Sequence, residues 1–222
     1  MALQAILSNH AKYDLAIKAL HLGTDSIKVL LMRNGFVFDK DVHARRKYLK
    51  ANTGVIAMSV GASLKYTRAS GSFITDGFVA GNRITASAFT NGGNNGVKYI
   101  QSVTWDEITV TDTTGMVQEA AGGNEQIIAD DELATGSGYT QDTKVLAGAT
   151  LVEDDANNWG QASFTDVTWT ASGGSIGPTP GAILYDDTSA DDTILGYLDF
   201  DGNKTAADTE PFVISGIKFR KF

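Results

Sequence analysis

Cysteine is absent from this sequence, and histidine and proline occur three times each. Without cysteine there is no disulfide and no thiolate nucleophile, and a metal would need histidine, carboxylates or carbonyls. The histidines, His10, His21 and His43, stand eleven and twenty-two residues apart. That is not the i,i+4 spacing of a helical zinc pair. His21 is expected at a helix C-terminus, and His10 and His43 at the surface. No stretch approaches the ~18 consecutive apolar residues of a membrane-spanning helix. The segment MALQAILSNHAKYDL has no basic run ahead of its apolar residues, so no secretory signal is expected. There is neither a G-x-S-x-G nor a P-loop pattern. No catalytic residue and no cofactor are expected, and the chain is read as non-enzymatic.

Charge is present but uneven. The net charge is −8, yet residues 1–52 hold nine Lys/Arg against four Asp/Glu, and residues 125–222 hold five against seventeen. Two readings follow: the basic and acidic parts pair within one domain, or they form a polar surface that orients copies of the chain. The acidic total argues against direct nucleic-acid binding. The basic stretch 39–50, DKDVHARRKYLK, reads as a solvated turn or a partner contact.

The texture is that of β-structure. Ser8 or Asn9 is a plausible N-cap, and Ala11, Leu15, Ala19 and Leu22 then recur at helical spacing, with Gly23 as a stop. This predicts one helix over about 9–22. Residues 27–32 read as a core strand. From residue 53 the composition turns to Gly, Thr, Ser, Asn and Val. Short strands are expected at Val55–Val60, Ser63–Arg68, Arg83–Ser87, Lys98–Val103 and Glu107–Thr111, separated by Gly/Asn turns. After residue 125, Leu146 and Leu151 are core candidates, and Trp159 is expected in a core or at a domain interface. Residues 163–200 read as three strands, with Gly173-Gly174 and Asp186–Ser189 as turns. Pro211 opens a last strand through Phe219, with Phe212, Ile214 and Phe219 facing the core.

Two groups of words resemble modules of tailed-bacteriophage structural proteins. One comprises VTWTASGG, AILYDD and LGYLDF within 163–200, with Gly136–Thr140 (GSGYT) and Asp25–Leu31 (DSIKVLL) upstream. The other runs from Arg68-Ala69-Ser70-Gly71-Ser72-Phe73 through Asp76–Gly81 (DGFVAG), Phe89-Thr90-Asn91 and Asn94-Asn95-Gly96 to Ile108-Thr109-Val110. Here Ser87-Ala88-Phe89 departs from that pattern's Ser-Gly-Phe. The flanking words belong together, so one domain is expected to be carried in a loop of another, where insertion disturbs little buried backbone. The expectation is a mainly β protein. An outer β-sandwich (1–52 plus 125–222) carries the N-terminal helix, and a small β-barrel or sandwich (53–124) is inserted in it.

The resemblance implies a virion protein assembled in the host cytoplasm, with no membrane partner. The expected role is a capsid decoration or cement protein that binds the major capsid protein as a homo-oligomer. A neck or tail component (adaptor, terminator or tail surface) is the alternative. A third reading is a carbohydrate-binding module using Tyr66, Tyr99, Trp105 and Trp159 as stacking faces. One metal-like pattern is present. Asp199, Asp201 and Asn203 alternate, and Glu210 falls at the twelfth position of a calcium loop. Lys204 replaces the glycine such a loop needs, and the segment joins strands, not helices. The pattern is incomplete, as are the pairs Asp186-Asp187 and Asp191-Asp192.

Overall fold

The computed structural model describes residues 5–16, 20–55, 58–156 and 159–221. Among these are one α-helix, α1 (Asn9–Ala16), and sixteen strands. In chain order these are β1 (Ile6–Leu7), β2 (Ile27–Leu31), β3 (Asn52–Val55), β4 (Met58–Val60), β5 (Tyr66–Arg68), β6 (Arg83–Ser87), β7 (Gly96–Val103), β8 (Glu107–Val110), β9 (Gln126–Ala129), β10 (Thr150–Asp154), β11 (Trp159–Ser163), β12 (Val167–Thr170), β13 (Ile176–Asp186), β14 (Thr193–Ala206), β15 (Pro211–Ile214) and β16 (Lys218–Lys221). All strand pairs are antiparallel. The protein is mainly β, as its turn-rich composition leads one to expect.

The chain divides into two compact units, residues 1–46 with 132–222, and residues 47–131. The second unit starts at 47 and not 53, and ends at 131 and not 124. Its flanks pair with each other: the Ala129 N–H donates to the Ala51 carbonyl (2.7 Å) and the Asp131 N–H to the Leu49 carbonyl (2.9 Å).

The first unit is sandwich-like. A four-stranded sheet runs β1-β14-β13-β2, and two smaller sheets, β10-β11-β16 and β12-β15, complete the unit. One core joins them, drawing Val29 from β2, Leu184 from β13, Phe200 from β14, Trp169 from β12, Phe212 from β15 and Phe219 from β16. β13 is buried at every residue from Gly181 to Asp186. Its central run is therefore continuously apolar instead of alternating. Gly196 is required where β1 crosses β14: a Cβ there would collide with the Ile6 carbonyl.

Several local expectations change. The helix is capped by Ser8, whose Oγ accepts the Ala11 N–H (3.0 Å) and donates to the Ile194 carbonyl. Leu20 and His21 are not helical. His21 instead turns back through its N–H onto the Asp25 carboxylate (2.5 Å). Residues 17–19 and the side chains of Leu15 and Ala19 lie outside the described residues. β12 pairs with β15 and not with β13, so the three strands of 163–200 do not form one meander. The predicted last strand is broken at 215–217, and its halves join different sheets. Leu151 is 63% exposed and not core, because β10 is a sheet edge. Trp159 begins β11, but its side chain lies outside the described residues.

The second unit is a single sheet of order β3-β9-β6-β7-β8-β5-β4. The stretch expected as one strand, Val55–Val60, supplies both edges of it. Laid flat, seven strands at ~4.8 Å spacing would separate those edges by roughly 29 Å. The connection from Val55 to Met58 reaches no more than about 11 Å. The sheet must therefore curl on itself as a barrel. Met58, Tyr66, Ile84, Ile100, Ile108 and Ile127 accordingly share one core.

Tyr139, from the GSGYT word, secures the outer edge of β2. Its hydroxyl accepts the Leu31 N–H (3.0 Å) and donates to Glu132 Oε1 (2.8 Å), with the ring fully buried. Tyr139→Phe is expected to destabilise the first unit by about 1–3 kcal/mol by stranding buried polar partners. Denaturant unfolding followed by the fluorescence of Trp169, 5.6 Å away ring to ring, reads this.

Candidate functional site

The second face of the four-stranded sheet is covered by residues 33–46, a segment rich in charge. Phe36, Phe38 and His43 pack there with Tyr197 of β14. Phe38 stacks against His43 (5.9 Å, 23°) and against Tyr197 (5.4 Å, 20°), and Phe36 tilts against both of those rings. His43 is thus buried, not a surface residue. Its Nδ1 accepts the Asp39 N–H (2.9 Å). Burial, with the nearby Asp199 charge, pushes the Tyr197 phenol up to about 12. Beside this cluster lies a groove of about 630 Å³ lined by Ile6, Val37, Phe38, Pro180, Tyr197 and Asp199 among others. Val37 is 79% exposed. An open groove with apolar walls and carboxylates at its rim suits a protein side chain better than a reacting substrate.

The charge asymmetry of the sequence is used nearby. Arg46 reaches Asp142 (2.8 Å) and Asp192 (3.9 Å), Lys28 reaches Asp187 (2.9 Å) and Asp142 (3.8 Å), and Arg45 reaches Asp191 (3.0 Å). At the centre, the buried Tyr185 donates its hydroxyl to Asp142 and also lies within hydrogen-bonding distance of Asp187 (3.1 Å), under the Arg46 guanidinium 5.1 Å from its ring. Burial pushes Asp192 upward, while Arg46 pulls it back. Burial likewise raises Asp186, whose carboxylate caps the Thr188 N–H (2.8 Å). The early basic residues and late acidic residues therefore pair within the first unit. The acidic pairs weighed as metal ligands are engaged with cations and backbone.

In the second unit the motif residues hold loops. Arg68 bridges to Asp76 (2.5 Å) and lies 4.8 Å over the ring of Phe73, which meets Phe78 edge-on at 5.7 Å. Asn95 clasps the Phe89 backbone, accepting its N–H (2.9 Å) and donating to its carbonyl (2.8 Å). Glu119 accepts the Thr90 and Asn91 N–H groups (2.6 and 3.1 Å) and the side-chain amides of Asn91 and Asn94 (3.2 and 2.7 Å). Partial burial pushes this carboxyl up, but those donors outweigh it and hold it at about 2. Gly93 is needed where this loop touches the Gly115 carbonyl, since a Cβ would collide with it. Ala88, standing where the resembling pattern has glycine, adopts φ = +64°.

The remaining sequence candidates are dispersed. Asp199, Asp201 and Asn203 lie along β14 and Glu210 beyond its end, so the calcium-like spacing falls on a strand and not on a wrapping loop. Asp199 accepts the Asp201 N–H (2.9 Å), and Asn203 donates to Asn34 (2.8 Å). Among the described residues no group of three or more histidines and carboxylates is arranged to hold a metal. His10 faces Asp14 at 3.6 Å, and His21 is exposed. Tyr66 is core, with its hydroxyl on the Asn94 carbonyl (2.6 Å). Tyr99 and Trp105 are exposed. The groove residues Phe36, Phe38 and Tyr197 escaped sequence reasoning. The alternation Phe36-Val37-Phe38 was the available signal, masked by the charged residues that follow it. Set against protein-family models, curated proteins and solved structures, the chain matches none.

Ala88→Gly is expected to stabilise the second unit by about 1 kcal/mol, because an L-residue pays for a left-handed backbone that glycine adopts freely. Urea unfolding of both forms checks this. Glu119 is deprotonated more readily in the folded state than in the unfolded chain. Its contribution is therefore complete above about pH 4.5 and is lost as pH falls toward about 2. Protection of the Thr90 and Asn91 amides, measured as hydrogen exchange relative to the intrinsic rate at each pH, should fall across that window, and in Glu119→Gln should already be low above it.

Proposed function

We propose that the chain is a non-enzymatic structural component of a bacteriophage particle, a decoration or cement protein seated on the major capsid protein. The observation that carries this reading is the fit between the resembling words and the backbone. The residue standing for the pattern's glycine, Ala88, takes a left-handed conformation, while Arg68, Asn94 and Asn95 tie loops together. Words used this way are architectural, which suits a module whose work is to hold a surface in place.

The groove between Val37 and Pro180 supports the same reading. It offers exposed apolar walls to a protein neighbour, and a capsid presents many equivalent neighbours. A neck or tail position draws on the same features and differs in copy number. For a glycan-binding role, Tyr66 is lost as a stacking face because it is buried, while Tyr99 and Trp105 are exposed.

Quantitative mass spectrometry of purified particles, normalised to the major capsid protein, tests the proposal. A simple stoichiometric fraction of the capsid copy number is expected. Six or twelve copies would move the protein to a ring in the neck or tail. Absence from particles would overturn a virion role.

A further inference from the structure

The three-stranded sheet β10-β11-β16 of the first unit has outer strands of different standing. β16 reads Lys-Phe-Arg-Lys, and its Lys218 carbonyl already accepts the Ala5 N–H (3.3 Å). β10 reads Thr-Leu-Val-Glu-Asp and, among the described strands, pairs with β11 alone. Residues 150–153 are all exposed. Leu151 (63%) shares a face with the core residues Ala162 and Phe219, and Val152 (46%) lies on the other face.

The ladder decides which backbone groups of β10 are already used. In an antiparallel pair, alternate residues turn their N–H and C=O toward the partner, and the residues between turn theirs away. On β11 and its extension, the Phe164 N–H donates to the Ile217 carbonyl (3.2 Å), in register with the β16 ladder. The Thr165 N–H donates to the Ala147 carbonyl (2.9 Å), on the β10 side. By the same alternation Ala162 faces β16, while Ser163 and Gln161 face β10. Their partners on β10 are Thr150 and Val152. The N–H and C=O groups of Leu151 and Glu153 therefore point outward, and among the described residues none of them meets a donor or acceptor. Such an edge is a template for another strand unless proline, a bulge, charge or a covering loop blunts it. Residues 150–153 pair with β11 without a bulge and carry only the charge of Glu153.

This edge is complementary to itself. Laid antiparallel about Val152, two copies place Leu151 of each opposite Glu153 of the other. The outward groups of both strands then satisfy one another. Val152 meets Val152 of the second copy across the axis, and each Glu153 faces a leucine and not a carboxylate. Registers centred elsewhere carry part of the row past the ends of the strand. We propose that the chain forms a two-fold dimer by antiparallel pairing of β10 with β10 of a second copy, centred on Val152. Such a contact is isologous and closes at two copies. The inference concerns how copies join one another and does not depend on the virion reading.

Sedimentation of the full chain over a concentration series, at moderate and at high salt, tests it. A monomer–dimer equilibrium is expected. Copies of net charge −8 repel each other, so raised salt should strengthen the dimer. Val152→Lys sets like charges directly across the axis and is expected to raise the dimer dissociation constant roughly tenfold. Leu151→Pro removes an outward N–H, which an edge strand tolerates. It should abolish the dimer while circular dichroism still reports the β-rich fold. Because the chain has no cysteine, Val152→Cys reports the register. Opposed residues of a non-hydrogen-bonded antiparallel pair lie about 4.5 Å apart at Cα, within the span of a disulfide. Mild oxidation should join Val152→Cys chains into covalent dimers faster than Val213→Cys chains, whose substituted position is similarly exposed (49%) on β15. A chain that stays monomeric, one that grows beyond a dimer, or Val152→Cys chains that join no faster than the Val213→Cys control would overturn the proposal.

Discussion

Burial of β13 on both faces is the constraint on which the first unit depends. Ala182 and Leu184 point into the core shared with the smaller sheets, while Ile183 and Tyr185 point to the opposite face, which residues 33–46 cover. A slip of one residue would exchange these sets and take the Tyr185 hydroxyl away from Asp142 and Asp187. The ladder to β2 is continuous from Asp186↔Ile27 to Ala182↔Leu31, and the ladder to β14 absorbs three irregularities, between Ile176 and Thr179, Thr179 and Gly181, and Leu184 and Tyr185. Tyr185 then becomes the point where the apolar strand meets the charge cluster of Arg46, Lys28, Asp142 and Asp187.

The second unit meets the same need to cover an apolar face with fewer strands and, among the described residues, no α-helix. It curls one sheet around its own core. The cost of that solution is a set of long connections, and polar side chains hold them. Glu119 gathers residues 90–94, Glu125 accepts the N–H groups of Met58 (3.2 Å) and Gly123 (2.9 Å), and Asp131 accepts the Asn82 amide (2.7 Å) and the Arg83 N–H (3.2 Å). Glu119 and Glu125, which accept several N–H bonds, are held below the usual carboxylate range by those donors, against the push of burial.

The same principle runs through the charge of the whole chain. The late acidic excess is partly consumed by early lysines and arginines inside the first unit. Pairing charges within a fold contributes to stability only modestly where water reaches them.

Local chemistry was legible in the sequence wherever it acts on neighbouring residues. The β-rich class, a cap at Ser8 or Asn9, strands within 27–31, 83–87 and 98–103, and the core roles of Phe212, Ile214 and Phe219 follow from period, turn residues and capping, each a matter of a few residues. The split of 55–60 into opposite barrel edges, the burial of His43 under a charged stretch and the exposure of Leu151 did not follow. Those outcomes depend on which distant strand lies alongside, and one sequence does not encode that in any short window. The candidate site divides in the same way. By itself the sequence determined that the residues are β-forming, cysteine-free and unevenly charged. Only the tertiary structure decided that Phe36, Phe38 and Tyr197 line one groove, and that acidic and basic strands end one sheet, because both depend on contacts between segments far apart in the chain.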